Sequence, residues 1–332
     1  MAAFIRLINA RLNPPADPTA SFEGKTVLIT GATSGLGFDA AVKFLNLGVS
    51  TLIIGSRSLE RGNQTKAELE KRTNRPGAVQ VRHLDMNTFK SVIEFAERVK
   101  REIPRLDVAL LDAGLTHRAY TVSPEGFEET LQVNALSTAL LALLLLPKLR
   151  ESHSESGPAH LTIVSSQQFA RVRAESLRTE GSLIQHLNDP QRFNGGRQYG
   201  ISKLLVEYAA KNIANLTRND DGTLQVIVNT VSPGLCATSL GRQYNKFYER
   251  LVIWLVMKIF ARTSEQGSRS LVSATLQGAE SHGKCWRHDG YVDESGTLTV
   301  GQEGKQFQEK AWREMVDIFK TKAPEIHNLV TG

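Results

Sequence analysis

Tyr199-Gly200-Ile201-Ser202-Lys203 sets a phenol and an ammonium four residues apart, so on a helix the two project from one face. A nearby cation favours the phenolate and should lower the phenol's pKa from its ordinary value near 10 toward the range useful for proton transfer. Ser165-Ser166 closes an apolar run that begins near His160, and Asn134 interrupts a long apolar segment upstream. Each has a plain use: Ser166 as a helix cap, Asn134 as an amide satisfied by backbone, Lys203 as a snorkelling surface lysine.

A second group of residues suits phosphate. Thr30-Gly31-Ala32-Thr33-Ser34-Gly35-Leu36-Gly37 follows a β-branched run and opens an amphipathic one. There a pyrophosphate would meet free backbone N–H groups and the positive end of a helix dipole. Its G-x-x-x-G-x-G spacing differs from the G-x-G-x-x-G fingerprint of other dinucleotide sites. About twenty residues past Gly37, where such a unit chooses between a ribose hydroxyl and a 2′-phosphate, stands Arg57 after Ser56. An acid would accept the hydroxyls, whereas a guanidinium pairs with phosphate, so NADP(H) is the expected cofactor. The plainer use of Arg57 is a surface arginine touching solvent.

To bring these groups together the chain needs strands that end beside one another. Short β-branched or leucine-rich runs at 26–30, 51–55, 79–84, 108–111, 160–164 and 225–231 alternate with amphipathic segments. Leu36, Ala40, Ala41, Phe44 and Leu47 form one helical stripe, and Phe89, Val92, Ile93, Ala96 and Val99 another. The pattern predicts an α/β chain: a single Rossmann-type, doubly wound parallel sheet with helices on both faces. Residues 1–21 read as an N-terminal extension. Residues 22–332 read as one domain, with an insertion at about 235–265 that carries a lid helix before the last α/β element. The segment 127–149 is apolar nearly all round after Leu136, which means deep burial or a subunit interface. In the extension, Phe4, Ile5, Leu7, Ile8 and Leu12 with Arg6 and Arg11 predict a short helix packed on the domain and ended by Pro14 and Pro15; a targeting peptide is the alternative. The apolar run 135–146 stops at Pro147, and 251–260 is interrupted by Lys258. Both fall short of the roughly 20 residues that span a bilayer.

Glycine turn, Asn134, Ser166, Tyr199-x-x-x-Lys203 and Ser232-Pro233-Gly234 occur in the order of the short-chain dehydrogenase/reductase family, which the chain resembles over about residues 22–240. That resemblance implies Tyr199 as general acid/base, Ser166 as the group that binds the substrate oxygen, Lys203 as the holder of the nicotinamide ribose, and Asn134 as support for a water-linked proton relay. It further implies cofactor contacts from Gly31, Ser34, Gly35, Leu36, Gly37, Arg57, Asp85 (with Met86, at the adenine), Asn134, Tyr199, Lys203 and Thr238. Two departures stand out. Leu111-Asp112-Ala113-Gly114 puts a carboxylate where family members carry an amide, and 32 residues separate Ser166 from Tyr199, more than in compact members. Such spacings resemble the retinol-dehydrogenase-like branch and the fungal secondary-metabolite branch, with the latter favoured.

The remaining composition excludes several classes. The net charge of +6, from 40 basic and 34 acidic residues, is scattered and not striped, which argues against nucleic acid. Cys236 and Cys285 lie far apart without metal-ligand spacing, so neither a disulfide framework nor a metal site is expected, and a reducing, cytoplasmic setting is. The eight histidines include no His-Glu-x-x-His cluster, and no Gly-x-Ser-x-Gly elbow suggests a serine hydrolase. Expected partners are a small-molecule carbonyl or alcohol and further copies of the chain, as a homodimer or homotetramer built on 136–149. The segment 251–260 is expected over the active-site mouth, selecting hydrophobic substrates, with weak membrane contact as its alternative. A cofactor-binding sensor without turnover is the competing functional class.

Overall fold

The computed structural model describes residues 2–153, 157–219, 221–238, 254 and 256–331. Eight strands form one sheet: β1 (Thr26–Thr30), β2 (Thr51–Ser56), β3 (Val79–His83), β4 (Val108–Leu111), β5 (Ala159–Val164), β6 (Val226–Val231), β7 (Cys285–Arg287) and β8 (Gly290–Tyr291). Their order is β3-β2-β1-β4-β5-β6-β7-β8, and every neighbouring pair is parallel except β7 with β8. The six strands expected from the sequence all form, and the α/β class with a mostly parallel sheet is as expected. The strand order reverses between β1 and β4, so the ends of these two strands open a crevice of the kind in which α/β sheets bind ligands. β7 and β8 were not located by sequence pattern. At three and two residues they are too short to show a period; β7 exists because Cys285 and Trp286 pair in register with Thr230 and Val231, and β8 because Tyr291 and Gly290 pair with Trp286 and Arg287.

Helices cover both faces because strands buried on both sides need two apolar layers. The main helices among the described residues are α1 (Ala2–Leu12), α2 (Gly35–Asn46), α3 (Leu59–Thr73), α4 (Phe89–Glu102), α5 (Glu129–Glu151), α6 (Gly195–Leu216), α7 (Ser264–Ala274), α8 (Gly301–Lys322) and α9 (Ile326–Thr331). The stripes of α2 and α4 point inward as the periodicity requires, with Ala40, Ala41 and Phe44 in the layer on one face and Phe89, Val92 and Val99 in the layer on the other. α5 lies in the second layer, where Leu140 through Leu146 have no solvent exposure. Burial therefore accounts for its all-round apolarity, and the expectation of a subunit interface on 136–149 is corrected: that surface is used up inside the chain. The helix is long and apolar enough to cross a membrane, but it is nearly all buried within the protein, as core helices are. Pro147 does not end it. The helix continues to Glu151, since a proline costs one intrahelical hydrogen bond and dense packing can offset that.

The N-terminal helix α1 is packed on the body, as expected. The Arg262 guanidinium donates from Nε to the Ala10 carbonyl at 2.6 Å and from Nη2 to the Asn13 carbonyl at 2.9 Å, closing carbonyls that a helix C-terminus leaves open. Arg11 donates to the Lys258 carbonyl.

Candidate active site

The glycine turn leaves β1 and enters α2. Gly31 has φ +78°, and a Cβ there would stand 2.9 Å from the Ala113 backbone nitrogen, so only glycine lets the ends of β1 and β4 close on each other. Thr30 Oγ1 completes the junction by accepting the Ala113 N–H at 3.0 Å. Ser34 is the N-cap of α2, and its side chain makes no capping bond. The N-terminus of α2 thus opens at the junction of β1 and β4, the arrangement suited to a pyrophosphate.

On the other side of the crevice, α6 carries Tyr199 and Lys203. Asn194 caps the helix by accepting the Arg197 N–H at 3.1 Å. Gly200 allows α6 to press on the loop after β5, where a Cβ would be 3.1 Å from the Gln168 carbonyl. That close approach sets Tyr199 against Ser166, and their side chains are hydrogen-bonded. Ser166 also accepts the Gln168 N–H at 3.3 Å, so its capping role and its contact with the tyrosine coexist. Lys203 Nζ lies 5.8 Å from the centre of the Tyr199 ring and donates to the Val164 carbonyl at 2.7 Å.

Asn134 reaches this group from α5 through a feature with no sequence signal: Gln132–Ser137 is a π-helical turn, a widening often found at functional sites. The widened turn points the Asn134 amide at the loop after β4. There Oδ1 accepts the Leu115 N–H at 2.8 Å, and Nδ2 donates to the Leu115 carbonyl at 2.8 Å and to Ser202 Oγ at 3.0 Å. Asn134 is satisfied by backbone, as its plainer use foresaw, and it is also fixed beside Lys203. A Cβ on Gly114 would lie 3.2 Å from its Oδ1 and 3.8 Å from Lys203 Nζ.

The family model described as short chain dehydrogenase matches residues 25–172. The short-chain dehydrogenase/reductase phmF of Phaeosphaeria nodorum is 44% identical over 324 residues, 97% of this chain and 94% of that protein. The short-chain dehydrogenase/reductase ffsI of Aspergillus flavipes is 42% identical with the same coverage. This chain is a short-chain dehydrogenase/reductase. Among solved structures, the Pseudomonas aeruginosa RhlG/NADP active-site complex is similar with a TM-score of 0.60 over 85% of this chain and 99% of that one, at 21% identity, a likeness of fold alone. The family's fold binds a nicotinamide cofactor, and its members are oxidoreductases.

Electrostatics in this short-chain dehydrogenase/reductase correct one expectation. Tyr199 is not pulled down by its lysine. Burial pushes its pKa up to about 12, the Ser166 hydrogen bond opposes that, and the Asp112 charge adds to it. Burial also draws Lys203 down to about 8, against the pull of Asp112 and Glu207. A cation favours a phenolate only if it outweighs desolvation, and in this cleft it does not. Asp112, the departure noted in the sequence, lies beneath the glycine turn and accepts the Gly37 N–H. Burial raises it to about 7, with Lys203 and that hydrogen bond opposing.

Arg57 is exposed immediately after β2 and makes no hydrogen bond or ion pair among the described residues. Asp85 follows β3 at the same edge of the sheet, and its Oδ1 accepts the Asn87 N–H at 3.0 Å. Thr238 sits against the glycine turn, 3.7 Å from where a Gly35 Cβ would be. The glycine turn, Asp112, Thr238 and the Asn134–Ser166–Tyr199–Lys203 group therefore gather after the ends of β1, β4 and β5, while Arg57 and Asp85 follow the neighbouring strands β2 and β3. The expected lid lies only partly within the described residues: Trp254 and 256–260 are helical, Lys258 Nζ is 4.7 Å from the Trp254 ring centre, and Trp254 is 54% exposed. The rest of 251–260 lies outside the described residues. The long spacing before Tyr199 is taken up by short turns and the one-turn helix Leu183–Leu187. They border a cleft of about 380 Å³ that none of the four catalytic candidates lines. Sequence reasoning missed Ser202 and Glu207. Ser202 falls inside the quoted Tyr-x-x-x-Lys motif, and the one signal for Glu207 is its four-residue spacing from Lys203.

Proposed function

We propose that the protein is an NADP(H)-dependent reductase that converts a ketone or aldehyde of a hydrophobic small molecule into an alcohol, as a cytoplasmic tailoring step in fungal secondary metabolism. The observation that carries the chemistry is the placement of Tyr199 against Ser166 with Lys203 Nζ 5.8 Å from its ring; burial pushes the phenol up to about 12, which favours its neutral form. A neutral phenol is the acid that carbonyl reduction needs. Ser166 would hold the carbonyl oxygen, and Tyr199 would give it its proton. Lys203, fixed by the Val164 carbonyl and flanked by Asn134, would hold the nicotinamide ribose and set the tyrosine's place. Bound NADPH supplies the hydride. Arg57 supports the choice of the phosphorylated cofactor, because an exposed guanidinium with no acidic partner among the described residues is available for a 2′-phosphate. The fungal relatives support the setting, and the apolar residues around Trp254 support a lipophilic substrate. A carbonyl panel of aromatic, aliphatic and steroid ketones, followed by NADPH absorbance, tests the reading. Turnover that Tyr199→Phe lowers at least 1,000-fold, with NADPH still bound, is the outcome expected of acid catalysis plus the lost oxygen contact. Turnover that persists in that variant would remove the tyrosine from the mechanism.

A further inference from the structure

Arg262 has 2% exposure and takes no part in the chemistry above, yet three parts of the chain meet on it. Its backbone closes the base of the insertion after β6: the Arg262 N–H donates to the Leu235 carbonyl at 2.9 Å, the Arg262 carbonyl accepts the Ala237 N–H at 2.9 Å, and Cys236 and Arg262 form a parallel bridge. Its side chain reaches the N-terminal extension, donating to the Ala10 and Asn13 carbonyls. The remaining guanidinium nitrogen, Nη1, lies 3.7 Å from where a Gly234 Cβ would stand. An apolar side chain would fill this space without the cost of desolvating a cation. What a guanidinium adds is several donors in a fixed fork, and here two of them close carbonyls at the end of α1, where a helix leaves them open.

The extension is fastened along its length. Asp289, in the left-handed turn between β7 and β8 with φ +59°, accepts the Ala16 N–H on Oδ2 at 2.9 Å. Arg269 Nη1 on α7 donates to the Pro15 carbonyl at 3.3 Å, and Lys43 Nζ on α2 donates to Asp17 Oδ1 at 2.7 Å. Residues 10–17 are thus a strap that ends on the helix opened by the glycine turn. The loop it fastens touches the same turn. A Cβ on Gly267 of α7 would collide with Cys236 Sγ and with Leu36 Cδ2, and Thr238 lies against Gly35.

We propose that Arg262 is a positioning residue for the nicotinamide end of the cofactor site: by tying residues 234–238 to the N-terminal strap, it holds that loop against the glycine turn where the nicotinamide half of the cofactor binds. This rests on the loop after Ser232-Pro233-Gly234 being the nicotinamide side of the crevice. The adenosine half belongs elsewhere. Arg57 and Asp85 follow β2 and β3, and three strands separate β2 from β6.

The test compares, by calorimetry, NADPH with adenosine 2′,5′-bisphosphate, which carries the adenosine half alone. Arg262→Met fills the space without a donor. It should bind NADPH about tenfold more weakly, as for a loop in place about a tenth of the time, and the bisphosphate as wild type does. Arg262→Lys keeps a charged donor and should recover part of the loss. Asp289→Gly suits the left-handed turn and releases Ala16; it should weaken NADPH alone by a smaller factor, and it carries the test if Arg262→Met does not fold. Hydrogen exchange without nucleotide should be faster at the Ala237 N–H in Arg262→Met. Equal weakening of both ligands would overturn the proposal and make Arg262 a support of the whole fold, and unchanged affinity for both would overturn it as well. If wild type binds neither ligand, the cofactor reading fails first and the proposal fails with it.

Discussion

Asp112→Asn isolates the buried carboxylate beneath the glycine turn. The carboxylate sits under the turn that would hold the pyrophosphate, and burial raises its pKa to about 7. An anionic cofactor above it favours the protonated acid, so binding at higher pH must take up a proton. With a pKa of about 7, the fraction already protonated falls from about nine-tenths at pH 6 to about one-tenth at pH 8. Wild-type affinity should accordingly weaken by up to about tenfold at pH 8, or about 1.4 kcal/mol, and by almost nothing at pH 6. Asparagine cannot ionise, and its side-chain oxygen can still accept the Gly37 N–H, so Asp112→Asn should match wild type at pH 6 and bind NADPH more tightly at pH 8, by up to about tenfold less what the loss of the Asp112 charge costs through Lys203, whose proton that charge helps to hold. The 2′-phosphate of the nucleotide titrates in this range too, but equally in both proteins, so the difference between them reports Asp112. Fluorescence titration gives the affinities, and calorimetry in buffers of different ionisation enthalpy counts the proton. Parallel pH profiles for the two proteins would refute the argument, and a large loss of thermal stability in Asp112→Asn would show that the charged form has a structural partner.

Three further outcomes are expected. Arg57→Asp should reverse cofactor preference, since a charge-assisted phosphate contact of about 1.5 to 3 kcal/mol corresponds to about a tenfold to hundredfold preference; equal wild-type affinity for NADH and NADPH would rule this out. With Tyr199 at about 12, alcohol oxidation requires the minor phenolate form and should accelerate by up to about tenfold per pH unit above neutrality, while carbonyl reduction near neutrality should show no such rise; an oxidation rate flat with pH in steady-state assays would contradict the assignment. Trp254→Ala should raise KM for a bulky apolar substrate far more than for a small polar one with NADPH affinity unchanged; equal effects would argue against a selective lid, and reduced sedimentation with liposomes would move the segment to a membrane-facing role.

The sequence alone carried the architecture and named the candidate reacting groups, because both are written in local patterns. Strand periodicity, the glycine turn and the Tyr199–Lys203 spacing survive without knowledge of what packs where, and each maps onto the elements that form. Three features were decided by tertiary structure. The apolar helix around Leu140 to Leu146 could have faced another subunit, and only its place in the second helical layer shows that it is core. The π turn at Gln132–Ser137 has no composition of its own, yet it is what points Asn134 at Leu115 and Ser202. The direction of the Tyr199 shift was misjudged from spacing because a sequence records the neighbouring ammonium but not the burial that outweighs it. Desolvation depends on everything that surrounds a group, and that set is assembled only when distant segments of the chain meet.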